Sequence, residues 1–434
     1  MKVLMFGWEF PPFISGGLGV ACYGIVKGLN NNNVEIKLVL PTTGGQKTDL
    51  PVEICPADKI VISETYKKKL AQTMSSTTGK EMLSGIISPY ETSVSGGDFF
   101  NRYQNMINEL NIQGKDTILA FTGNYGRDLM AEVFRYSIIG EFLGSLGDFD
   151  IIHAHDWLTI LAGVGAKRLS GKPLVIQIHA TEVDRSGSSI NSNIFNIEKY
   201  GMEQADRIIA VSYYTKNIIV NKYGIDPHKV TVVHNAVEKK TQLERLGIQK
   251  NLDEKYVLFL GRVTMQKGPD YFIEAANLVL KKIKNIRFVM AGSGDMMPRL
   301  IERAAALKIT DRFHFTGFLN NRQQVERMYA MSDLYVMPSV SEPFGITAFE
   351  ALLYDVPIIL SKQSGVAEVL RGAMKVDFWD VPKLASAIVT LLEDEKLSKE
   401  MVESCKHELQ DIHWNTASQK IKNLYHSLLF HNSH

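Results

Sequence analysis

The stretch SEPFGITAFE, residues Ser341–Glu350, follows an apolar run and leads into a helical pattern. Pro343 disfavours helix at Glu342 and keeps that residue extended, whereas Gly345 allows another molecule to approach the backbone closely. The first turn of the helix then leaves its backbone N–H groups free. The stretch therefore predicts a strand, turn and helix of a parallel α/β sheet. One carboxylate lies in the turn, and a second, Glu350, lies eight positions later inside the helix.

Around this unit, short β-branched runs alternate with longer helical segments, which is typical of parallel sheets with crossover helices. The first series of strand candidates is Lys2–Phe6, Glu35–Leu40, Thr117–Phe121, Ile151–His153, Leu174–His179, Arg207–Val211 and Val230–His234. The second series is Tyr256–Leu260, Arg287–Ala291, Arg312–Thr316, Leu334–Met337 and Pro357–Leu360. The alternation predicts two doubly wound α/β domains, residues 1–240 and 241–413, joined by the polar stretch Glu238–Glu254.

Two segments do not follow the alternation. Residues from about 48 to 115 are polar with a Ser/Thr/Gly-rich centre at Met74–Lys80, and a connection of that length is usually functional. We expect an insertion in the first domain near its ligand opening. Residues 414–434 have a helical pattern over Trp414–Phe430 and no following strand, so they are predicted to form a C-terminal helix.

Composition excludes several classes of function. Lys and Arg total 48 against 47 Asp and Glu, so the overall charge does not favour nucleic acid or an anionic membrane as a partner. No apolar run approaches the roughly 20 residues of a membrane span, and the apolar start is too short for a signal peptide. The three cysteines, Cys22, Cys55 and Cys405, have no CxxC spacing, which favours reduced thiols in a cytoplasmic protein without a disulfide or metal framework.

A second polar turn supplies positive charge. Arg262 and Lys267 come directly after an apolar strand, which would place a rigid guanidinium fork and a compact ammonium over one phosphate-sized space. Glu342 and Glu350 add acceptors for sugar and ribose hydroxyls. The open helix start adds the backbone N–H groups of Gly345, Ile346 and Thr347. Together they indicate a nucleotide-sugar site. A purely structural explanation is also available for each residue: the cations could be ordinary surface residues, Glu342 part of an acidic helix cap, and Glu350 a solvated helix residue. It does not explain why the acidic turn is combined with a basic turn.

The first half contains weaker signals. GGLG (Gly16–Gly19) is a glycine-rich turn into a helix and suits backbone approach by phosphate or sugar, especially at Gly17. It is neither a P-loop nor the dinucleotide fingerprint, and a tight structural turn would explain it equally well.

A histidine-rich segment, HAHDW (His153–Trp157), ends an apolar strand. The period of a strand puts His153 and His155 on one face, but no third cluster of ligands is evident, so we predict no metal site. Asp156 is better explained as a hydrogen-bond acceptor for a sugar hydroxyl. His179 follows the apolar run Leu174–Ile178 and could be a core histidine, but its place at a strand end favours the site.

These motifs resemble those of the GT-B glycosyltransferases, specifically the retaining, glycogen/starch synthase-related kind of families 4 and 5, over nearly the whole chain. WEFPPF (Trp8–Phe13) with GGLG resembles the N-terminal motif of the synthases, and HAHDW matches their second motif closely. The C-terminal half has the family 4 pattern of an acid, seven residues and an acid. His179–Glu182 is similar to the histidine segment of both groups. The resemblance implies two Rossmann-like domains that face a central cleft.

The resemblance also implies roles for individual residues. Glu342 would lie against the donor sugar, and His179 and Asp156 would contact the sugar or its transition state. Arg262 and Lys267 would bind the donor pyrophosphate. These five residues would support the reaction. Donor binding would involve the glycine-rich turn, the cations, the helix start, the ribose-binding acid and a further backbone segment: Gly17, Arg262, Lys267, Gly345, Ile346, Thr347, Glu350, Ser364, Gly365 and Val366. No metal and no other cofactor is implied, and the C-terminal helix would cross back to the first domain.

The expected activity is retaining transfer of a glucosyl unit from UDP- or ADP-glucose to a glycan, as in glycogen synthase-like elongation of an α-1,4-glucan. Bacterial and plant synthases have a lysine and an acid where this chain has Ile14 and Val20, which leaves the donor base open. A family 4 transferase with a lipid-linked or small-molecule acceptor is one alternative. A catalytically silent sugar- or nucleotide-binding protein is another. The sequence indicates no oligomeric state.

Overall fold

The computed structural model describes residues 1–11, 16–45, 48–67, 116–126, 128–237 and 254–431. Two parallel sheets, of seven and six strands, form the cores of two α/β domains. The prediction of two doubly wound domains is confirmed. The strands at the centre of both sheets are buried on both faces, and this explains why they read as continuous apolar runs rather than as alternating patterns.

The first sheet has the strand order β3-β2-β1-β6-β7-β8-β9. Its strands are β1 (Lys2–Phe6), β2 (Glu35–Leu40), β3 (Glu53–Pro56), β6 (Ile151–His155), β7 (Leu174–Ile178), β8 (Arg207–Ala210) and β9 (Val230–Val232). The described helices of this domain are α1 (Gly17–Asn31), α2 (Leu129–Leu146), α3 (Trp157–Ser170), α4 (Glu182–Ser186), α5 (Ser192–Gln204) and α6 (Tyr213–Tyr223). Central strand β1 pairs with β2 and β6, with Lys2 opposite Glu35 and Val3 opposite Ile151.

The second sheet has the order β12-β11-β10-β13-β14-β15. Its strands are β10 (Lys255–Leu260), β11 (Ile286–Ala291), β12 (Phe313–Gly317), β13 (Leu334–Met337), β14 (Ile358–Ser361) and β15 (Met374–Val376). The helices are α7 (Pro269–Val279), α8 (Met297–Ala306), α9 (Arg322–Met331), α10 (Ile346–Leu353), α11 (Val366–Val369), α12 (Val381–Glu393) and α13 (Glu395–Leu409). The stretch Ser341–Glu350 connects β13 to α10, as its sequence predicts.

The last helix, α14 (Trp414–His431), packs against α1 of the first domain. The contact needs glycine on α1, because a Cβ at Gly24 would lie 2.1 Å from the Trp414 ring. The Ser418 hydroxyl donates to the carbonyl of Ile25 at 3.2 Å. The chain therefore ends on the domain in which it starts.

The structure differs from the sequence prediction around the expected insertion. The strand β3 lies inside residues 48–115 and forms an edge of the first sheet. The predicted strand Thr117–Phe121 is wrong: only Thr117–Ile118 (β5) is a strand, and it pairs antiparallel with β4 (Val61–Ile62) outside the main sheet. Val61 and Ile118 are exposed, so the β4–β5 pair does not form part of a domain core. Residues 68–115 and the linker residues 238–253 lie outside the described part of the chain. In the described ranges, no helix has the length and apolarity to cross a bilayer.

Candidate active site

A partly buried ion pair lies at the carboxyl ends of the strands of the second domain. The Nζ atom of Lys267 donates to Oε2 of Glu342 at 2.6 Å, and the Ser339 hydroxyl donates to the same oxygen at 3.2 Å. Lys267 lies near the end of the basic turn, Gly261–Gly268, which follows β10. Glu342 lies in the acid turn, Ser341–Gly345, which follows β13. The two strands are neighbours in the sheet, so their following turns meet.

Arg262 lies in the same basic turn but is used differently. Its side chain is exposed, and within the described residues it makes no hydrogen bond or ion pair. The backbone of the turn after β11 lies directly against the backbone of the basic turn, since a Cβ at Gly292 would lie 1.9 Å from the carbonyl oxygen of Gly261. The structure therefore brings Lys267 to Glu342, whereas Arg262 remains available to an anion from solution.

Helix α10 begins at the end of the acid turn without a capping side chain. Gly345 is its N-cap, with a φ of 107° that side chains rarely adopt. A Cβ there would also lie 3.0 Å from the Met337 side chain. Since no side chain caps the first turn of the helix, the backbone N–H groups at 345–347 can bind an anion.

The segment Ser364–Val366 packs along the acid turn. Gly365 donates its N–H to the carbonyl of Glu342 at 2.9 Å, and Val366 donates to the carbonyl of Phe344 at 2.7 Å. The sequence predicted this segment as donor-binding backbone. In the structure these two N–H groups hold the acid turn in place, so they are already paired.

Glu350 is buried on α10 and has two partners. Arg322 donates to Oε1 at 2.5 Å and the Tyr329 hydroxyl donates to Oε2 at 3.0 Å. A carboxylate oxygen has two lone pairs, so each can still accept a hydrogen bond from a ribose hydroxyl. Arg322 and Tyr329 were not predicted from sequence, because they are on α9 and nothing in the local pattern marks them as partners of an acid on α10.

In the first domain, Asp156 connects the carboxyl ends of β6 and β7. Its Oδ1 accepts the backbone N–H groups of His179 at 2.6 Å and Ala180 at 3.3 Å. The residue has a φ of 57°, a left-handed conformation that costs energy for a residue with a side chain. Burial raises the pKa of Asp156 to about 7, although the Arg185 charge and the two N–H groups oppose this shift. Asp156 thus fixes the segment that carries His179.

Three histidines form a buried row beside Asp156. Nδ1 of His153 lies 2.6 Å from the Tyr425 hydroxyl on α14, and Nδ1 of His155 lies 3.0 Å from Nε2 of His179. The rings of His153 and His155 are 4.3 Å apart. Burial lowers the pKa of His153 and of His179 to about 3 and that of His155 well below its usual value. All three imidazoles are therefore neutral at physiological pH.

The two domains contact each other at the acid turn. The Ser341 hydroxyl donates to Oδ1 of Asp184 on α4 and lies 3.0 Å from the Tyr214 hydroxyl. Oδ2 of Asp184 accepts the backbone N–H and hydroxyl of Thr181 at 2.8 and 2.7 Å. Thr181 is two residues after His179, and Ser341 directly precedes Glu342. This network connects the segments that carry the two predicted catalytic groups.

A second contact lies on the other side of the acid turn. The Ser212 hydroxyl donates to the carbonyl of Pro343 at 2.6 Å. Glu368 of the second domain accepts the backbone N–H groups of Tyr213 and Tyr214 at 2.9 and 2.6 Å. Both contacts are made at the N-terminus of α6, so the acid turn is held from both flanks by the first domain.

Gly17 begins α1, and a Cβ at this residue would have no atom within 4 Å. The start of α1 therefore has free space beside Gly17 among the described residues, and none of their contacts connects Gly17 with the charged groups of the second domain. Its donor-binding role stays a prediction. Among the described residues, the metal-ligating side chains form one group of three, Cys22, His155 and His179. It does not include His153, the other histidine on the same face of β6.

Comparison with known proteins matches both halves of the chain to family models. Residues 241–408 match the glycosyl transferases group 1 model and residues 111–240 match the glycosyltransferase family 4 model. An uncharacterized glycosyltransferase from Methanocaldococcus jannaschii is 28% identical over 98% of both chains. A glycogen synthase from Mycobacterium tuberculosis is 23% identical over 98% of this chain and 94% of its own. A D-inositol 3-phosphate glycosyltransferase from Acidothermus cellulolyticus is 27% identical over 67% of this chain and 69% of its own.

Two solved structures share the fold. A sucrose-phosphate synthase from Thermosynechococcus elongatus superimposes with a TM-score of 0.70 at 16% identity, covering 98% of both chains. Anabaena Alr3699/HepE in complex with UDP and glucose superimposes with a TM-score of 0.66 at 16% identity, covering 98% of this chain and 100% of its own.

Proposed function

Because the chain is a glycosyltransferase of the GT-B type, we propose that it transfers a glucosyl unit from UDP- or ADP-glucose to a glycan, with retention and without a metal ion. The observation that carries this proposal is the Lys267–Glu342 pair beside the uncapped start of α10. A cation, an acid and an open helix N-terminus at one place match a diphosphate joined to a hydroxyl-rich sugar. The similarity to a glycogen synthase over 98% of the chain supports a glycan acceptor.

The proposed mechanism is mainly electrostatic. Negative charge builds up on the departing diphosphate in the transition state, and Arg262, Lys267 and the N–H groups of α10 would stabilise it. On donor binding, Lys267 would turn from Glu342 to the phosphate, and the freed carboxylate would accept sugar hydroxyls. Lys267 would then stabilise the diphosphate more in the transition state than in the ground state, which is what raises the rate.

The first domain would supply neutral groups to the sugar. His179 keeps a fixed orientation because Asp156 binds its backbone and His155 binds its ring. A neutral imidazole can hydrogen bond to a sugar hydroxyl without repelling the positive charge that develops at the anomeric carbon. Retention without a protein nucleophile requires the leaving phosphate to guide the acceptor hydroxyl onto the same face of the sugar.

The test is a panel of UDP-, ADP- and GDP-sugars, each with and without glycogen. We expect nucleotide release that depends on glycogen and incorporation of glucose into the polymer from one of the glucose donors. The Lys267→Ala variant provides the inactive control for each donor. Nucleotide release that glycogen does not stimulate would contradict a glycan acceptor.

A small-molecule acceptor is the second candidate, because a D-inositol 3-phosphate glycosyltransferase is 27% identical over 67% of the chain. Including inositol phosphates in the same panel distinguishes the two acceptors. Tight donor binding without turnover on any acceptor would instead support a silent binding protein.

A further inference from the structure

Cys22 lies against the histidine pair of the first domain. One ligand atom from each of Cys22, His155 and His179 lies within 4.8 Å of the other two. The three residues come from α1 and from the ends of β6 and β7, so only the fold brings them together. All three are buried, with exposed fractions of 1%, 0% and 9%.

Each ring of the histidine pair has one nitrogen to spare. The inner nitrogens, Nδ1 of His155 and Nε2 of His179, share a hydrogen bond at 3.0 Å. The outer nitrogens, Nε2 of His155 and Nδ1 of His179, are buried and have no hydrogen-bond partner among the described residues, so each can carry the proton of its ring while the inner nitrogen acts as a ligand. A neutral imidazole is also the form that binds metals, and burial keeps both rings neutral.

The chemistry of the three groups selects the cation. A thiolate with two imidazoles is a soft set of ligands, which favours Cu(I) or Zn(II). Zn(II) requires a fourth ligand, and the described residues provide no fourth His, Cys, Asp or Glu in this group. A monovalent cation on one thiolate also forms a neutral complex, whereas a divalent cation would leave a net positive charge in a buried site.

We propose that Cys22, His155 and His179 form a three-coordinate site for Cu(I), and that Cu(I) bound there inhibits sugar transfer. Burial raises the pKa of the Cys22 thiol, so its proton leaves for solvent only as the Cu–S bond forms. The proton of the hydrogen bond between Nδ1 of His155 and Nε2 of His179 moves to the other nitrogen of its own ring, and Nδ1 of His155 and Nε2 of His179 then form the two Cu–N bonds. Copper stays in the monovalent state throughout, so no oxidant or reductant is needed. Inhibition rests on the proposed function, because it follows from taking His179 away from the donor sugar. Binding does not rest on it.

The test measures Cu(I) binding and activity separately. Purified protein is titrated anaerobically with Cu(I) held by a chromogenic chelator, and transfer of Cu(I) to the protein is followed by the loss of colour. We expect one equivalent to bind to the wild type and the affinity to fall by about a hundredfold or more in Cys22→Ala and in His155→Gln. Cys405→Ala is the matched control, since Cys405 is also a buried free thiol and should leave the affinity unchanged.

Two binding outcomes would overturn the proposal. The first is equal Cu(I) affinity in the wild type and in Cys22→Ala, with both proteins shown to be folded by thermal unfolding. The second is Zn(II) binding as tight as that of Cu(I) in a parallel chelator competition, which would remove the argument for a monovalent site. Cys22→Ser, which keeps the size of the side chain, guards against a packing effect of the alanine.

The activity arm uses the donor and acceptor found active in the panel. Cu(I) should inhibit the wild type and Cys405→Ala but not Cys22→Ala. Binding at Cys22 without inhibition would overturn the inhibitory half of the proposal. If no donor is turned over, the proposed function fails while the binding arm still decides whether the site exists.

Discussion

The two halves of the site differ in charge and in exposure. The histidine half-site is made of His153, His155, Asp156 and His179, and all of its side chains are buried. The charged half-site is made of Arg262, Lys267, Glu342 and Glu350, of which Arg262 is exposed and Lys267 is partly exposed. Burial shifts every pKa in the histidine half-site toward the neutral form. Under the proposed function, this difference implies that the histidine half-site would hold the polar but uncharged sugar and the charged half-site would hold the diphosphate.

The largest effect is expected in the charged half-site. Lys267→Ala should lower kcat by about 10²–10³, or about 2.7–4 kcal/mol, because an oriented charge on the leaving group is lost. It also leaves Glu342 buried without its cation. Arg262→Ala should lower kcat in the same direction without a stability effect, because Arg262 is exposed. The measurement is steady-state kinetics with saturating donor.

Lys399→Ala is the matched control for both substitutions, because Lys399 is an exposed lysine whose one ion pair among the described residues is with Glu395 on its own helix. Near wild-type kcat in both Lys267→Ala and Arg262→Ala would show that the pyrophosphate assignment is wrong. Loss of activity in Lys267→Ala alone would restrict the pyrophosphate assignment to Lys267.

The same comparison explains what could be predicted from sequence. The sequence places Lys267 and Glu342 in two turns that follow strands of one sheet, and the structure has the two side chains in contact. Their role in donor binding stays a prediction. Strand-ending turns of a parallel sheet meet at one edge, so Lys267 and Glu342 could be paired without a structure. The two-domain fold followed from strand alternation for the same reason.

The partners of these groups could not be predicted, because they depend on the packing of distant elements. Tyr425 reaches His153 from α14, and Asp184 reaches Ser341 across the domain boundary. A third ligand near the histidines was not predicted because Cys22 is on α1, far from HAHDW in sequence. The edge strand β3 was missed because its four residues, Glu53–Pro56, contain no fully buried position.

A smaller effect is expected where the two half-sites are joined. Asp184→Ala should lower kcat/KM by about tenfold, roughly 1.4 kcal/mol, because the acid turn loses its hydrogen bond to the first domain. Ser341→Ala removes the same bond from the other side. Asp184→Ala also loses the bonds to Thr181, and Ser341→Ala also loses the contact with Tyr214. The double variant should therefore be slower than either single variant but by less than the sum of the two effects, since the Ser341–Asp184 bond is counted in both.

Ser332→Ala is the control for Ser341→Ala, because within the described part of the chain the Ser332 hydroxyl donates to the carbonyl of Met328 in the preceding helix turn and to no other group. Additive effects of Asp184→Ala and Ser341→Ala would contradict a shared interaction. Asp184→Asn should recover part of the loss, because its side-chain oxygen can still accept from Ser341.

The neutral histidines should make stability depend on pH. Their folded pKa values, about 3 for His153 and His179, lie below the unfolded value of about 6.5. The unfolded state therefore binds more protons between these pH values, and stability is lost as the pH falls from 6.5 toward 3. Asp156 opposes this trend, because its raised pKa makes the folded state bind the extra proton between about pH 4 and 7.

Burial also raises the pKa of Glu141, Asp184 and Glu198, and these groups oppose the histidine effect as Asp156 does. The contribution of the histidines is therefore measured as the difference between the wild type and a histidine variant. Each histidine should contribute about 1 kcal/mol per pH unit below pH 6.5. Denaturant unfolding at several pH values between 7.5 and 5 measures the slope. His153→Gln should give a shallower slope, because one of the titrating groups is removed. An equal slope in the variant would show that His153 is not neutral in the folded protein.

The smallest expected effect concerns divalent metal. Transferases that bind their donor through Mg²⁺ use the ion to neutralise the diphosphate. In this protein Arg262 and Lys267 occupy the turn where that charge would be needed, so a divalent ion would duplicate their role. We therefore expect initial rates in excess EDTA to equal those without it, for each donor that the enzyme accepts. Full loss of activity in EDTA, restored by Mg²⁺ or Mn²⁺, would contradict this mechanism. It would also show that the side chains of the charged half-site do not neutralise the diphosphate on their own, which is the basis of the comparison with the uncharged histidine half-site.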